Sequence, residues 1–137
     1  MSNPKQSDVW LYDYLWHREH EAGAENGRKP RPTALVTRFT DKYGSTNLFL
    51  LPITSKEPHK DKVFIEMSQI ERRRAGLSSN MRLWVILDEY NHDYLETSYY
   101  LDPKGRKGAF STVFTQKVLK SFINVARQSR TKLVRRN

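Results

Sequence analysis

The sequence contains no cysteine, which excludes a disulfide scaffold, a thiolate zinc site and a cysteine nucleophile. It has no long hydrophobic run. The longest apolar stretches, Leu48–Ile53 and Leu83–Leu87, fall far short of the roughly 20 residues that span a bilayer. Met1–Gln6 has no apolar core behind Lys5, so it does not read as a secretory signal, and the expected compartment is the cytoplasm. Hydrophobic residues make up only 37%, which with a net charge of +9 leans towards disorder. What is present argues the other way: three Trp, seven Tyr and six Phe supply the bulk of a core. At 137 residues, the chain is expected to form one small domain with a polar surface.

The positive excess points first to nucleic acid as a partner, ahead of an acidic protein or a membrane surface. Its distribution is uneven. From Arg127 to Asn137 the chain carries five cationic residues and no acid. This segment reads as a basic tail over 129–137, solvated or in contact with nucleic acid. Residues 1–7 read as a flexible N-terminus and 8–128 as the folded domain.

Asp8–Trp16 reads as a strand with Val9, Leu11 and Leu15 on one face and Trp10, Tyr12, Tyr14 and Trp16 on the other. His17–Lys29 is polar, contains Gly23 and Gly27, and reads as a loop. Pro30 and Pro32 hold Arg31 extended as it leads into the strand Thr33–Thr40. Asp41-Lys42-Tyr43-Gly44 supplies turn chemistry before the strand Ser45–Ile53, so the pair reads as a β-hairpin. Lys62–Met67 reads as a further strand, and Ser68 caps a short helix, Gln69–Ala75, with Glu71 placed for a capping box and Gly76 ending it. Arg82–Glu89 is a strand buried on both faces, and Tyr90–Leu101 is strand-like but broken at Asn91, His92 and Asp93. Pro103–Gly108 reads as a charged loop. Thr115 is the expected N-cap of a final helix whose apolar stripe is Leu119, Phe122, Ile123 and Ala126. The fold class expected is mainly β (α+β): a small, partly open β-barrel with a short mid-chain helix and a C-terminal amphipathic helix.

Two segments bear chemistry. Gly27-Arg28-Lys29-Pro30-Arg31-Pro32 opens one arm of the hairpin, and Leu51-Pro52-Ile53-Thr54 closes the other. A hairpin of this length brings Arg31 and Thr54 to one end of the sheet. A guanidinium beside a hydroxyl suits a phosphodiester, because the planar fork offers several donors and the hydroxyl one more. Both residues also have ordinary structural readings: an Arg between prolines that reaches solvent, and a Thr that ends a strand.

The ordered set Asp8-Val9-Trp10-Leu11, Gly27…Arg31-Pro32-Thr33-Ala34-Leu35-Val36 and Leu51-Pro52-Ile53-Thr54 resembles the MazF/PemK toxins of bacterial toxin–antitoxin systems. The likeness runs over most of residues 8–126, including the Leu83–Leu87 strand with Asp88 after it. It implies an SH3-like barrel that forms a homodimer, cleaves single-stranded RNA without metal or other cofactor, and is silenced by an acidic antitoxin protein. The Arg of the family's Arg-Pro motif falls on Arg31, the Thr of its Ile-Thr motif on Thr54, and its loop acid on Glu25. Trp16–Lys29 is longer and more charged than the family's usual loop, Lys29-Pro30 adds a proline, and Asn91 stands where many members carry Arg; these mark a divergent branch.

The reaction implied needs a base for the ribose 2′-OH, a charge stabiliser and an acid for the leaving oxygen. Arg31 is the expected stabiliser, Thr54 its positioning partner and Glu25 the base, with His17, His20 or Asp88 as substitutes. Lys29, Ser55, Lys56, His59 and Lys60, with Tyr43 and Lys62 near the hairpin ends, are candidates for holding phosphates or stacking bases. Zinc is set aside, because His17 and His20 are the only close histidine pair and no thiolate completes a site. Arg72-Arg73-Arg74 point in different directions on a helix and read as a solvated face. Two other readings remain: a gyrase-poisoning toxin of the same barrel fold, disfavoured by the charged end Leu133–Asn137, and a catalytically silent barrel that binds nucleic acid or protein.

Overall fold

The structure is a computed structural model that describes residues 3–24, 29–98, 100–128 and 131–136. Among these residues the chain forms eight strands and three helices. Strands β1 (Asp8–Tyr12), β2 (Arg31–Thr40), β3 (Thr46–Thr54), β4 (Phe64–Glu66), β5 (Trp84–Ile86), β6 (Glu89–Tyr94), β7 (Leu101–Ala109) and β8 (Lys132–Arg135) belong to one sheet. Helix α1 spans His17–Glu21, α2 Gln69–Arg74 and α3 Thr112–Arg127.

The hairpin forms as expected. Asp41 accepts from the backbone N–H of Tyr43 and Ser45 through Oδ1, and Gly44 adopts the left-handed conformation (φ 82°) that closes the turn. The arms β2 and β3 then pair antiparallel from Thr40–Thr46 to Thr33–Pro52. Successive residues of β2 point to opposite faces, so Ala34 and Val36 enter one core and Leu35 the other, and one bulge falls between Leu35 and Thr37.

The strand path is β4-β5-β3-β2-β1-β7, with β6 and then β8 attached beside β3. Its pairings are antiparallel except β6–β8, which is parallel. The outer strands β4 and β7 do not pair with each other, so the sheet is not closed into a barrel. The first core lies between the sheet and α3, and includes Val9, Val36, Leu51, Ile53, Val85, Leu87, Val118 and Phe122. The second holds Tyr12, Tyr14, Trp16, Leu35, Leu48, Leu50 and Ile86. The run Leu83–Leu87 is therefore buried on both faces, as its composition indicates.

Ser68 caps α2 by accepting from the Glu71 N–H, 3.2 Å away. The Glu71 carboxylate does not close a capping box. It accepts instead from the N–H (2.9 Å) and hydroxyl (2.6 Å) of Ser111, tying α2 to the start of α3. Gly76, with φ 71°, ends α2; a Cβ there would sit 2.0 Å from the Lys107 carbonyl oxygen. Arg72 is not solvated: its guanidinium donates to the carbonyls of Met67 and Ser79.

Several expectations are corrected. His17–Glu21 is a helical turn rather than loop, started by the Trp16 N–H on the Glu19 carboxylate at 3.1 Å. The N-cap of α3 is Ser111, whose hydroxyl accepts from Phe114 N–H; Thr115 lies inside the helix and is buried. The core face is Phe114, Val118, Phe122 and Val125 in place of the expected stripe, and Ile123 is 40% exposed. Pro103–Gly108 is part of β7, which pairs with β1 through two register shifts that carry Asp102–Lys104 outward. Residues 3–7 are anchored: Pro4 is buried and the Ser7 N–H donates to the Leu35 carbonyl.

The largest difference is at β6 and β8. Asn91, His92 and Asp93 do not break a strand; they are its middle. Glu89, Asn91 and Asp93 face inward, each with a partner. Tyr12 donates to Asp93 and Tyr14 to Glu89, both at 2.9 Å. Asn91, wholly buried, accepts from the Leu15 N–H (3.0 Å) and donates to the Leu15 carbonyl (2.8 Å). The basic tail adds β8 alongside β6, burying Val134. Arg136 lies 3.8 Å over the Tyr100 ring, donates to the Asp13 carbonyl and, at 2.9 Å, to the Asn91 side-chain oxygen.

Replacing Asn91 with Ala strands buried partners on Leu15, so it should lower the unfolding free energy by about 3 kcal/mol. Removing the exposed Arg135 side chain should cost within about 0.5 kcal/mol. Urea denaturation of the two variants measures the contrast.

Candidate functional site

Tyr12 pairs with Arg31, Thr33 with Pro52, and Thr54 with Trp84, so the hairpin and its neighbours converge at one end. There Lys29, Pro30, Arg31, Pro32, Ile53, Thr54 and Ser55 line a cavity of about 370 Å³. Its other wall is the α2–β5 connection, with Leu77, Ser78, Met81 and Leu83. The structure thus brings Arg31 and Thr54 together, with Lys29 and Ser55 beside them.

Arg31 is half-buried, and its guanidinium lies 5.1 Å from the centre of the Trp16 ring. Its Nε is enclosed without a hydrogen-bond partner. Burial pulls the group below its ordinary titration range, with repulsion from Arg18 adding and Glu19 opposing. An arginine so placed stays cationic and still lacks an acceptor. The Thr54 hydroxyl accepts from the Lys56 N–H at 3.1 Å and donates to the Lys56 carbonyl at 3.4 Å. That second contact is long and readily exchanged for a stronger acceptor.

The remaining candidates are dispersed. Glu25 lies outside the described residues. His17 and Asp88 line a different cavity of about 190 Å³, with Arg18, Lys62, Glu89 and Lys132. His20 lines a third, of about 410 Å³, beside Tyr100, Arg135 and Arg136. Lys56 and Lys60 are exposed, and His59, also exposed, contacts Asp61 at 2.7 Å. Tyr43 stands 82% exposed at the hairpin tip, at the opposite end of β2 and β3 from Arg31. A groove of about 720 Å³ along the outer face of α3 holds none of these residues.

Asn91 does not line the Arg31 cavity; its side chain is used up by Leu15 and Arg136. Trp16 and Glu89 were not among the sequence candidates. Trp16, 8% exposed, carries two guanidiniums, Arg31 at 5.1 Å and Arg18 at 5.0 Å from its ring centre. Glu89, 7% exposed, takes the Tyr14 hydroxyl and the His17 N–H on one oxygen, Oε2. Burial raises its titration above the usual carboxyl range, against the pull of those two bonds and Lys62, with Asp88 adding to the rise. The signal that could have exposed Glu89 was the period-2 row Glu89, Asn91, Asp93 between aromatic residues.

No protein-family model and no curated protein matches the chain. No helix among the described residues is long and apolar enough to cross a membrane, and no group of three or more His, Asp or Glu among them could hold a metal ion.

Because folding raises the Glu89 titration, the folded state holds that proton to higher pH than the unfolded chain. Its contribution to stability is full below about pH 4.3 and is lost as pH rises through the folded value. Glu89→Gln keeps an acceptor for Tyr14 and His17 and removes the titration. The stability of wild type relative to this variant should therefore fall between about pH 4 and neutrality, as followed by urea melts across pH.

Proposed function

We propose that this protein is a metal-independent endoribonuclease of the MazF/PemK type, cutting single-stranded RNA as the toxin of a toxin–antitoxin pair in the cytoplasm. One observation carries the reading: Arg31 and Thr54, the two residues the family resemblance singles out, line one cavity at the end of the hairpin. The mainly β sheet with a C-terminal helix is compatible with a divergent, open relative of the SH3-like barrel. Homodimerisation and silencing by an acidic antitoxin belong to the same proposal, and the positive charge suits both RNA and such a partner.

In this reaction the ribose 2′-oxygen attacks the adjacent phosphorus as its proton passes to a base. The bond to the 5′-oxygen breaks, and that oxygen takes a proton. The products are a 2′,3′-cyclic phosphate and a 5′-OH. Arg31, held against Trp16 and lining the cavity, is the donor for charge that builds on the phosphoryl oxygens. Thr54 exchanges its long bond to the Lys56 carbonyl for a phosphate oxygen and fixes the scissile group. Glu25, four residues before Lys29, is the assigned base.

A second reading, a catalytically silent nucleic-acid-binding domain, is favoured by one observation. The described residues lining the cavity include neither a carboxylate nor an imidazole.

Purified protein should cut single-stranded RNA in EDTA and leave 2′,3′-cyclic phosphate termini. Arg31→Ala should lower the rate by about 10²–10³-fold, the effect of losing a transition-state donor, and Thr54→Ala by less. Equal cutting by wild type and Arg31→Ala would overturn the assignment; binding without cleavage would support the silent domain.

A further inference from the structure

The cavity beside Glu89 is built from four separate parts of the chain. Helix α1 supplies His17 and Arg18, the turn before β4 supplies Lys62, the start of β6 and the residue before it supply Glu89 and Asp88, and the start of β8 supplies Lys132. None of Arg18, Lys62 and Lys132 is in an ion pair with a described residue; the Arg18 guanidinium rests on the Trp16 ring. Three cations and two carboxyl groups, Asp88 and Glu89, converge around about 190 Å³ of space, and the surplus of positive charge favours an anion.

Glu89 gives this field a floor. Both of its hydrogen bonds fall on Oε2, which leaves Oε1 for the cavity that the residue lines. Burial raises its titration above the usual carboxyl range, so at a given pH it carries less negative charge than an exposed carboxylate. Asp88 is held by the scaffold through Oδ2, which accepts from the Val63 N–H, and its backbone carbonyl accepts from the Lys132 N–H, while its Oδ1 is enclosed without a hydrogen-bond partner among the described residues.

The cavity also has a defined relation to the Arg31 site. Arg18 and Arg31 both lie against the Trp16 ring, at 5.0 and 5.1 Å, so their guanidinium carbons are no more than about 10 Å apart. That separation is within the reach of neighbouring phosphates along one single strand.

We propose that the cavity formed by Arg18, Lys62, Glu89 and Lys132 is a second phosphate subsite, which holds a backbone phosphate of the same single-stranded RNA whose scissile group lies at Arg31 and Thr54. The inference rests on the nuclease reading for its substrate but not for its test. Bound at both points, the strand is drawn across Trp16, and its register at Arg31 is set by a group that takes no part in the reaction. Phosphate contacts of this kind position the strand without reading bases.

The test uses the full chain and a single-stranded oligoribonucleotide with 2′-O-methyl groups, which cannot be cut by 2′-OH attack. Binding is followed by fluorescence anisotropy across salt concentrations, with inorganic phosphate as competitor. Lys62→Ala/Lys132→Ala should weaken binding and reduce the slope of log K against log salt by about 0.7, the value for one lost phosphate contact on a single strand. Lys117→Ala/Lys120→Ala, an equal loss of exposed charge on α3, should leave that slope unchanged. An unchanged slope in the first variant, or the same loss in both, overturns the subsite. If Arg31→Ala abolishes cutting while the first variant binds like wild type, the nuclease reading stands and the subsite falls. If the slope falls as expected but no RNA is cut, the subsite stands and the nuclease reading falls.

Discussion

The contact between the Asn91 side chain and the main chain of Leu15 organises the molecule. An amide has one acceptor and two donors to satisfy, and burial without partners would cost more than most core contacts return. Here the acceptor takes the Leu15 N–H and Arg136, and the donor reaches the Leu15 carbonyl. Glu89 and Asp93, two residues to either side, bind Tyr14 and Tyr12 in the same manner. The inward face of β6 is therefore a ladder of polar groups matched rung by rung to Tyr12–Leu15. A slip of one residue would turn every rung outwards and leave the tyrosine hydroxyls without acceptors. This is how a strand rich in polar residues can lie in the interior.

The ladder also positions the surface where chemistry is proposed. It fixes the chain as it leaves β1, and Trp16 follows directly, in edge-to-face contact with Tyr14 at 5.3 Å. Trp16 is then the support for both Arg31 and Arg18. The sheet holds Arg31 at the start of β2 by pairing it with Tyr12, and Thr54 at the end of β3 by pairing it with Trp84. Side chains held this way lose little further freedom on meeting a phosphate, which favours tight positioning.

The positive charge divides into distinct uses. Arg136, Arg72 and Arg106 are structural: the first stacks on Tyr100, the second caps backbone carbonyls, and the third pairs with the buried Asp8 at 3.2 Å. Arginine suits these places because its planar fork satisfies several acceptors at once. Lys62 and Lys132 have no such partner among the described residues, and they gather at one cavity with Arg18, which rests on Trp16. Net charge alone does not separate the two groups; burial and pairing do.

The local chemistry of turns and caps was legible in the sequence. Asp41 and Gly44 fixed the hairpin, Ser68 started α2, and the unbroken apolar run Leu83–Leu87 meant burial on both faces. Because a hairpin's ends are set by its turn, the meeting of Arg31 and Thr54 was legible too. The rest depended on long-range partners. Glu89–Tyr94 alternates polar with aromatic residues, a pattern that reads as interruption until Tyr12 and Tyr14 are seen to satisfy the polar face. Ser111 caps α3 in place of Thr115 because Glu71, forty residues earlier, holds it. The basic end becomes a strand because β6 offers a free edge beside it, and His17 parts from Arg31 because it ends in the cavity with Glu89. Sequence by itself determined the elements whose stabilising contacts lie within a few residues. Tertiary structure alone decided which buried polar groups found partners, since those hydrogen bonds join residues 75 or more positions apart.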